Sequence, residues 1–160
     1  MTALEAVIHV QGPNGERDVP IDQFYLLPGT TPHLENVLAP GELITYVTLP
    51  PLAPGTRSYY LKLRDRASYE FALASAAVVV EANGGRVRRA RLALGGVGTR
   101  PWRSREAERV LEGHPVDEHI FKQAAEAALH GAKPLHDNAF KVQLSKLCIA
   151  RALHNVTTSA

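Results

Sequence analysis

Residues 71 to 97, FALASAAVVVEANGGRVRRARLALGGV, are two long apolar runs joined by Asn83-Gly84-Gly85. Glycine and asparagine supply the positive φ of a two-residue turn, so the stretch predicts a tight antiparallel hairpin. Upstream, SYYLKLR at 58 to 64 alternates: Tyr59, Leu61 and Leu63 share one face, and Tyr60, Lys62 and Arg64 the other. A third strand with this period completes a three-stranded antiparallel sheet with one core-like face. Its other face lines up a ring and two cations, suited to an anionic or flat ligand.

The rest of the chain is arranged around that sheet. After Trp102 the pattern is helical. Ser104 is placed to cap a helix through Leu111 that Gly113 ends, and Asp117 or its neighbour opens a second containing Ile120, Ala124, Ala127 and Ala128. Asp137 or Asn138 opens a third, with Phe140, Leu144, Leu147 and Cys148 as one stripe and Val142, Ile149 and Leu153 as another, a pattern expected for a helix buried on two sides. The tail NVTTSA is expected to fray. Ahead of the sheet, Leu4, Ala6, Ile8 and Val10 alternate as a half-buried strand over the first ten residues, QGPNGER turns, and Arg17 to Pro20 returns. Residues 27 to 40 read as loop, and LITYVTLP at 43 to 50 as a strand. PPLAPGT at 50 to 56, with three prolines and a glycine, is the candidate boundary. The expected class is α+β: a three-stranded antiparallel sheet packed against a helical cluster, preceded by a small strand-rich segment.

Several function classes are set aside by the same residues. A net charge of +2 gives no nucleic-acid footprint, and the four arginines of RVRRARL at 86 to 92 read as a solvated strand edge. No apolar run approaches bilayer length, and the start lacks a basic-then-apolar signal pattern, so no membrane is expected and the cytoplasm is the expected location. Cys148 stands alone among apolar neighbours as a buried inert thiol, and the seven histidines include no i, i+4 pair with an intervening glutamate. With no nucleophile motif either, no catalytic residue and no metal ligand is assigned. LALGGVGTRPWR at 92 to 103 invites a phosphate-loop reading. Counting from Gly96, the third position is Gly98 but the sixth is Pro101, and no Gly-Lys-Ser/Thr follows. It reads as a bend leading from the sheet into a helix.

Taken jointly, YYLKLRDRASYEFALASAAVVVE, LALGGVGTRPWRSREAERVLEG and PLHDNAFKVQLSKLCIARAL resemble the C-terminal domain of the FAD-binding subunit of molybdenum hydroxylases. That family includes xanthine dehydrogenase, carbon monoxide dehydrogenase and aldehyde oxidoreductases. Lys62-x-Arg64-x-Arg66-x-Ser68-Tyr69, the GGV bend and the late N-A-F-K segment carry the resemblance. VIHVQGPNGERDVPIDQFYLLPGTTPHLENVLAPGELITYVTLP is similar to the end of the preceding flavin domain. The resemblance thus implies that residues 1–55 are a remnant of the end of an FAD-binding domain and 56–160 a CO dehydrogenase flavoprotein C-terminal-like domain.

It further implies that Leu43 and Ile44 approach the isoalloxazine ring and that Lys62 lies near the flavin, where a cation favours the anionic reduced form. FAD is implied in the complete subunit, taking electrons from a molybdenum centre through iron–sulfur clusters and passing them to an acceptor. The implied partners are an FAD-binding N-terminal half, an iron–sulfur subunit and a molybdopterin subunit. The family's glycine-rich segments that hold the FAD pyrophosphate would precede this sequence, so the isolated chain is expected to be inactive and to retain little FAD. The alternative is a non-catalytic subunit-interaction module that has lost the FAD-binding half.

Overall fold

A computed structural model describes residues 1 to 158 and divides the chain into two compact units, Met1–Leu52 and Ala53–Ala160. In the first unit, β1 (Val7–Gly12) is the centre of a three-stranded antiparallel sheet, flanked by β2 (Gly15–Pro20) and β3 (Leu43–Thr48). The strand expected over the first ten residues begins only at Val7, because Thr2–Leu4 wind into a 3-10 turn and Glu5 takes φ 55°. Ala6, Ile8 and Val10 are buried as the alternation predicts. They pack with Val19 and with Ile21 and Phe24 of α1 (Ile21–Phe24), one helical turn too short to leave a period in the sequence. β3 is different. It pairs only with β1, through a bulge at His9/Val10, and all six of its residues are exposed.

The second unit is a four-stranded antiparallel sheet, in the order β4 (Arg57–Leu63), β5 (Ala74–Asn83), β6 (Arg86–Gly95) and β7 (Trp102–Arg103), with α2 (Arg105–Leu111) and α4 (Phe140–Thr158) packed on it and α3 (Glu118–Ala128) packed on those two helices. The three expected strands are β4, β5 and β6. The β5–β6 hairpin turns through Gly84 and Gly85 at φ 57° and 73°, both in the left-handed region that the two-residue turn requires. A bulge between Glu81 and Ala82 resets the phase of β6, so that Val87 and Ala90, three apart, both reach the core with Leu92 and Leu94. The arginine run follows from this phase. Arg86, Arg88 and Arg89 are exposed, but Arg91 is only 8% exposed, so the run is not wholly a solvated edge.

β7 (Trp102–Arg103) was not expected: before entering the helix, the chain pairs Arg103 with Ala93 and Trp102 with Leu94. Beyond β7, α2 (Arg105–Leu111) and the turn after it close the edge of β6. Glu108 Oε1 accepts from the Leu92 amide at 3.0 Å and Glu112 Oε1 from the Ala90 amide at 3.2 Å, while Val87 exchanges amide bonds with His114 and Gly113. Carboxylates on a neighbouring helix and at its C-terminal cap thus satisfy amides that a bare edge would offer to another chain. At the start of the bend, Gly96 has φ 75°, and a Cβ there would lie 2.8 Å from the Ala72 carbonyl oxygen, so only glycine fits.

Ser104 caps α2 by accepting from the Ala107 amide at 3.2 Å, and Asp117 caps α3 (Glu118–Ala128) through the Ile120 amide at 2.9 Å, both as the sequence predicts. α4 (Phe140–Thr158) departs from prediction in three ways. Asn138 does not cap it, because its Oδ1 accepts from the Leu135 amide at 2.7 Å. The helix buries one stripe, Ser145, Cys148, Ile149, Ala152, Leu153 and Val156, and leaves Phe140 and Leu147 more than half exposed. Residues 155 to 158 of the tail expected to fray continue the helix: Val156 is buried, and the Thr157 and Thr158 hydroxyls donate to the Leu153 and His154 carbonyls at 2.8 and 2.7 Å. Ser159 and Ala160, the remainder of that tail, lie outside the described residues. Cys148 sits in the core with its thiol pushed up to about 11 by burial, which suppresses the nucleophilic thiolate. Among the described residues, no helix is long and apolar enough to cross a membrane.

Candidate functional site

Leu43 and Ile44 open β3, 72% and 46% exposed. Tyr46, Val47 and Leu49 follow them into solvent, so apolar side chains project from both faces of a strand whose outer edge pairs with no other described strand. A run of this kind is a ready surface for a flat apolar ligand, because the free strand edge also offers amides and carbonyls to its polar rim.

The strand is held firmly from behind. Just before it, Glu42 receives both nitrogens of the Arg17 guanidinium, Nε to Oε1 and Nη2 to Oε2, each at 2.7 Å. Arg17 Nη2 also donates to the Val37 carbonyl at 2.9 Å, and the Ala39 amide donates to Glu42 Oε2 at 2.7 Å. This fork ties β2 and the long loop to the residue that precedes Leu43. A second column crosses the sheet. His9 Nδ1 lies 2.6 Å from Asp18 Oδ1, its Nε2 lies 2.9 Å from Thr48 Oγ1, and its ring stacks on Tyr46 with centroids 4.0 Å apart and planes 14° apart. Thr45 Oγ1 donates to the His9 carbonyl at 3.1 Å at the bulge. Neither device was assigned from sequence. The signal was nonetheless present, since antiparallel register across the Gly12–Gly15 turn sets His9 opposite Asp18.

The Arg17 hydrogen bonds, followed by the Ala39 amide, lower the Glu42 carboxyl to about 2. A carboxyl depressed in the folded state stabilises it fully above its unfolded value near 4.5, and that contribution is lost as pH falls through the folded value. The backbone of residues 37–44 should therefore keep one conformation from neutral pH to about 4.5 and loosen progressively towards about 2. Amide chemical shifts of Ala39, Glu42 and Leu43 followed against pH check this; midpoints near 4.5 would show that the fork does not hold the carboxylate.

Lys62 lies on β4, the edge strand of the other unit, paired opposite Ser75 and half-buried. Tyr60, 61% exposed, shares its face, and Arg64 follows the strand end in solvent; Tyr59, Leu61 and Leu63 pack on the core as the alternation predicts. The loop leaving this strand carries two exposed aromatics, Tyr69, which ends the Lys62-x-Arg64-x-Arg66-x-Ser68-Tyr69 motif, and Phe71, to which the sequence assigns no role. Tyr69 is 95% and Phe71 94% exposed, and Tyr69 has φ 50°. The loop is nevertheless ordered from within: the Arg66 amide donates to Glu70 Oε2 at 2.9 Å, and the Arg66 guanidinium donates to the Tyr69 carbonyl. A non-glycine residue held at positive φ with its ring in solvent is the kind of local cost found where a ligand or partner is met. Among the described residues, no group of three or more His, Cys, Asp or Glu is placed to hold a metal ion.

Residues 58–156 match the family described as the CO dehydrogenase flavoprotein C-terminal domain. The whole chain aligns with the FAD-binding subunit PaoB of an aldehyde oxidoreductase of Escherichia coli (strain K12), 39% identical over 163 residues and covering 47% of that protein. The carbon monoxide dehydrogenase medium chain of Hydrogenophaga pseudoflava is 32% identical over 156 residues, which cover 95% of this chain and 52% of that one. Among solved structures, a carbon monoxide dehydrogenase from the same organism superposes with TM-score 0.87 at 31% identity, covering 98% of this chain and 54% of the other. Reconstituted CO dehydrogenase from Oligotropha carboxidovorans gives TM-score 0.89 at 27% identity, covering all of this chain and 55% of the other. The chain spans about half the length of the curated relatives it matches.

Proposed function

This chain belongs to the CO dehydrogenase flavoprotein C-terminal domain family, and from that premise we propose that it is the C-terminal part of the FAD-binding subunit of a molybdenum hydroxylase. In this reading residues 1–55 are the end of the flavin domain and 56–160 the C-terminal domain. The observation that carries it is the exposed apolar start of β3, Leu43 and Ile44, fixed by the Arg17–Glu42 fork in a chain whose whole length aligns with about half of an FAD-binding subunit.

The residues suit one end of FAD and not the other. Leu43 and Ile44 would lie against the isoalloxazine ring, the free edge of β3 would meet its polar rim, and Lys62 would supply a cation near it. Tyr69 and Phe71 are rings available to cover a flat ligand or a partner surface. No counterpart for the diphosphate end stands among the described residues: the glycine-rich bend after β6 lacks the dinucleotide spacing at Pro101. The diphosphate would be held by an FAD-binding N-terminal half. When bound, the flavin accepts electrons and passes them to an acceptor; iron–sulfur and molybdopterin partner subunits would deliver them. This chain's residues exclude water from one side of the ring, fix its orientation and set the local charge.

The experiment compares the purified chain with the complex recovered by pull-down with companion subunits. The chain alone is expected to lose added FAD on gel filtration, since contacts to one side of a ring do not compensate for a missing diphosphate site. The complex is expected to retain a flavin absorbance band. A stable complex without flavin would instead identify a subunit-interaction module, and a chain that keeps FAD by itself would contradict the division of labour.

A further inference from the structure

The bend at 96–99 plays no part in the flavin reading, and its chemistry is independent of that reading. Within the second unit, this bend, the loop after α3 and the first turns of α4 line a half-open cavity of about 390 Å³, in the range of small-molecule sites. Its polar lining is one-sided. Lys133 and Lys141 contribute cations, and no carboxylate side chain lines it. Lys141 Nζ donates to the Gly96 carbonyl at 3.1 Å, which engages one of its three N–H groups.

Two further observations point to an occupant. Ser145 lines the cavity and is fully buried, yet its Oγ has no hydrogen-bond partner, a state that buried hydroxyls seldom keep without a ligand or water. Gly98 also lines it, and nothing within the chain demands glycine there. Its φ is outside the left-handed region, and a Cβ would meet only Trp102 Cε3 at 3.9 Å and the Arg100 carbonyl at 3.8 Å, ordinary contacts. Unlike Gly96, it leaves space beside an indole that the fold itself does not need.

We propose that this cavity binds a small aromatic carboxylate, with its carboxylate drawn to Lys133 and Lys141 and its ring beside Trp102 in the space left by Gly98. The cations select an anion, the absence of carboxylates removes repulsion, and the indole favours a flat apolar body. Ser145 gains a polar partner when the site is filled.

The test is a heteronuclear NMR titration of the full chain with sodium benzoate, with benzamide and inorganic phosphate as the other two probes. Saturable shifts at Gly98, Thr99, the Trp102 indole and Ser145 are expected with benzoate below about 50 mM. Benzamide and phosphate should each bind at least about tenfold more weakly. Lys133→Met and Gly98→Val should each weaken benzoate about tenfold while leaving the remaining spectrum in place, and Lys122→Met, on exposed α3 surface outside the cavity, should leave it unchanged. Lys133 and Gly98 carry the test because Lys141→Met also removes the bond to Gly96. No saturable change, equal response to benzamide or to phosphate, or benzoate binding indifferent to both Lys133→Met and Gly98→Val overturns the proposal.

Discussion

Glu108→Ala should destabilise the second unit by about 3–5 kcal/mol, a large share of the total stability of a domain this size. Glu108 is 5% exposed and takes four donors: the Leu92 amide, Arg103 Nε at 2.7 Å, Arg103 Nη2 at 3.2 Å and Arg105 Nη1 at 3.4 Å. The Arg103 side chain is itself only 10% exposed. Removing the carboxylate therefore takes two short charged hydrogen bonds from a largely buried guanidinium and leaves the Leu92 amide without its acceptor, where β6 passes out of β7's reach. Glu108→Gln keeps an oxygen for that amide and should cost less, about 1–3 kcal/mol, by losing the charge alone. Urea denaturation followed by near-UV signal from the lone Trp102 measures both; a loss under about 1 kcal/mol for Glu108→Ala would mean that the edge is held by packing rather than by this carboxylate.

Lys62→Met should lower the midpoint potential of the flavin in the assembled complex by about 30–45 mV. A unit charge several ångströms away at an effective dielectric constant of about 20 is worth about 2–4 kcal/mol, and the half-buried position of Lys62 reduces this to about 1.5–2. For a two-electron couple about 1.4 kcal/mol corresponds to 30 mV. The sign follows from charge: a cation stabilises the more negative, reduced ring, so its loss makes reduction harder. Lys62→Arg retains the cation and should restore most of the shift. Spectroelectrochemical titration of the three complexes reads the effect directly; equal potentials in all three would place Lys62 away from the ring.

The features that could be read from sequence are those set by local chemistry. The Asn83-Gly84-Gly85 turn, the Ser104 and Asp117 caps and the alternation of Tyr59, Leu61 and Leu63 depend on neighbours within a few residues, and each stands as expected. The misreadings arise where distant groups decide. The phase of the arginine run depends on a bulge against β5, so Arg91 cannot be told from Arg89 by spacing. Phe140 and Leu147 fit an apolar stripe, but α4 has one buried stripe and it runs through Ser145, Cys148 and Ile149. β7 exists because the Ser104 amide reaches the Leu92 carbonyl at 3.1 Å, a pairing across the bend that no local pattern announces. The Arg17–Glu42 fork spans 25 residues of sequence; only the resemblance of GELIT to a flavin-domain end drew notice to its acidic partner's neighbours.

The central claim is that β3 of this chain lies against a flavin. Its most direct test is the flavin content of the companion-subunit complex carrying Leu43→Asp together with Ile44→Asp. Both side chains are exposed, so the substitutions should spare the fold of the chain and its capture by the partners, as circular dichroism and the pull-down itself will report. The account predicts that the wild-type complex holds close to one FAD and that the double variant retains less than about a tenth of it, because two carboxylates would be desolvated against a flat, largely apolar ring. A double variant that assembles and keeps its full complement of FAD would contradict it.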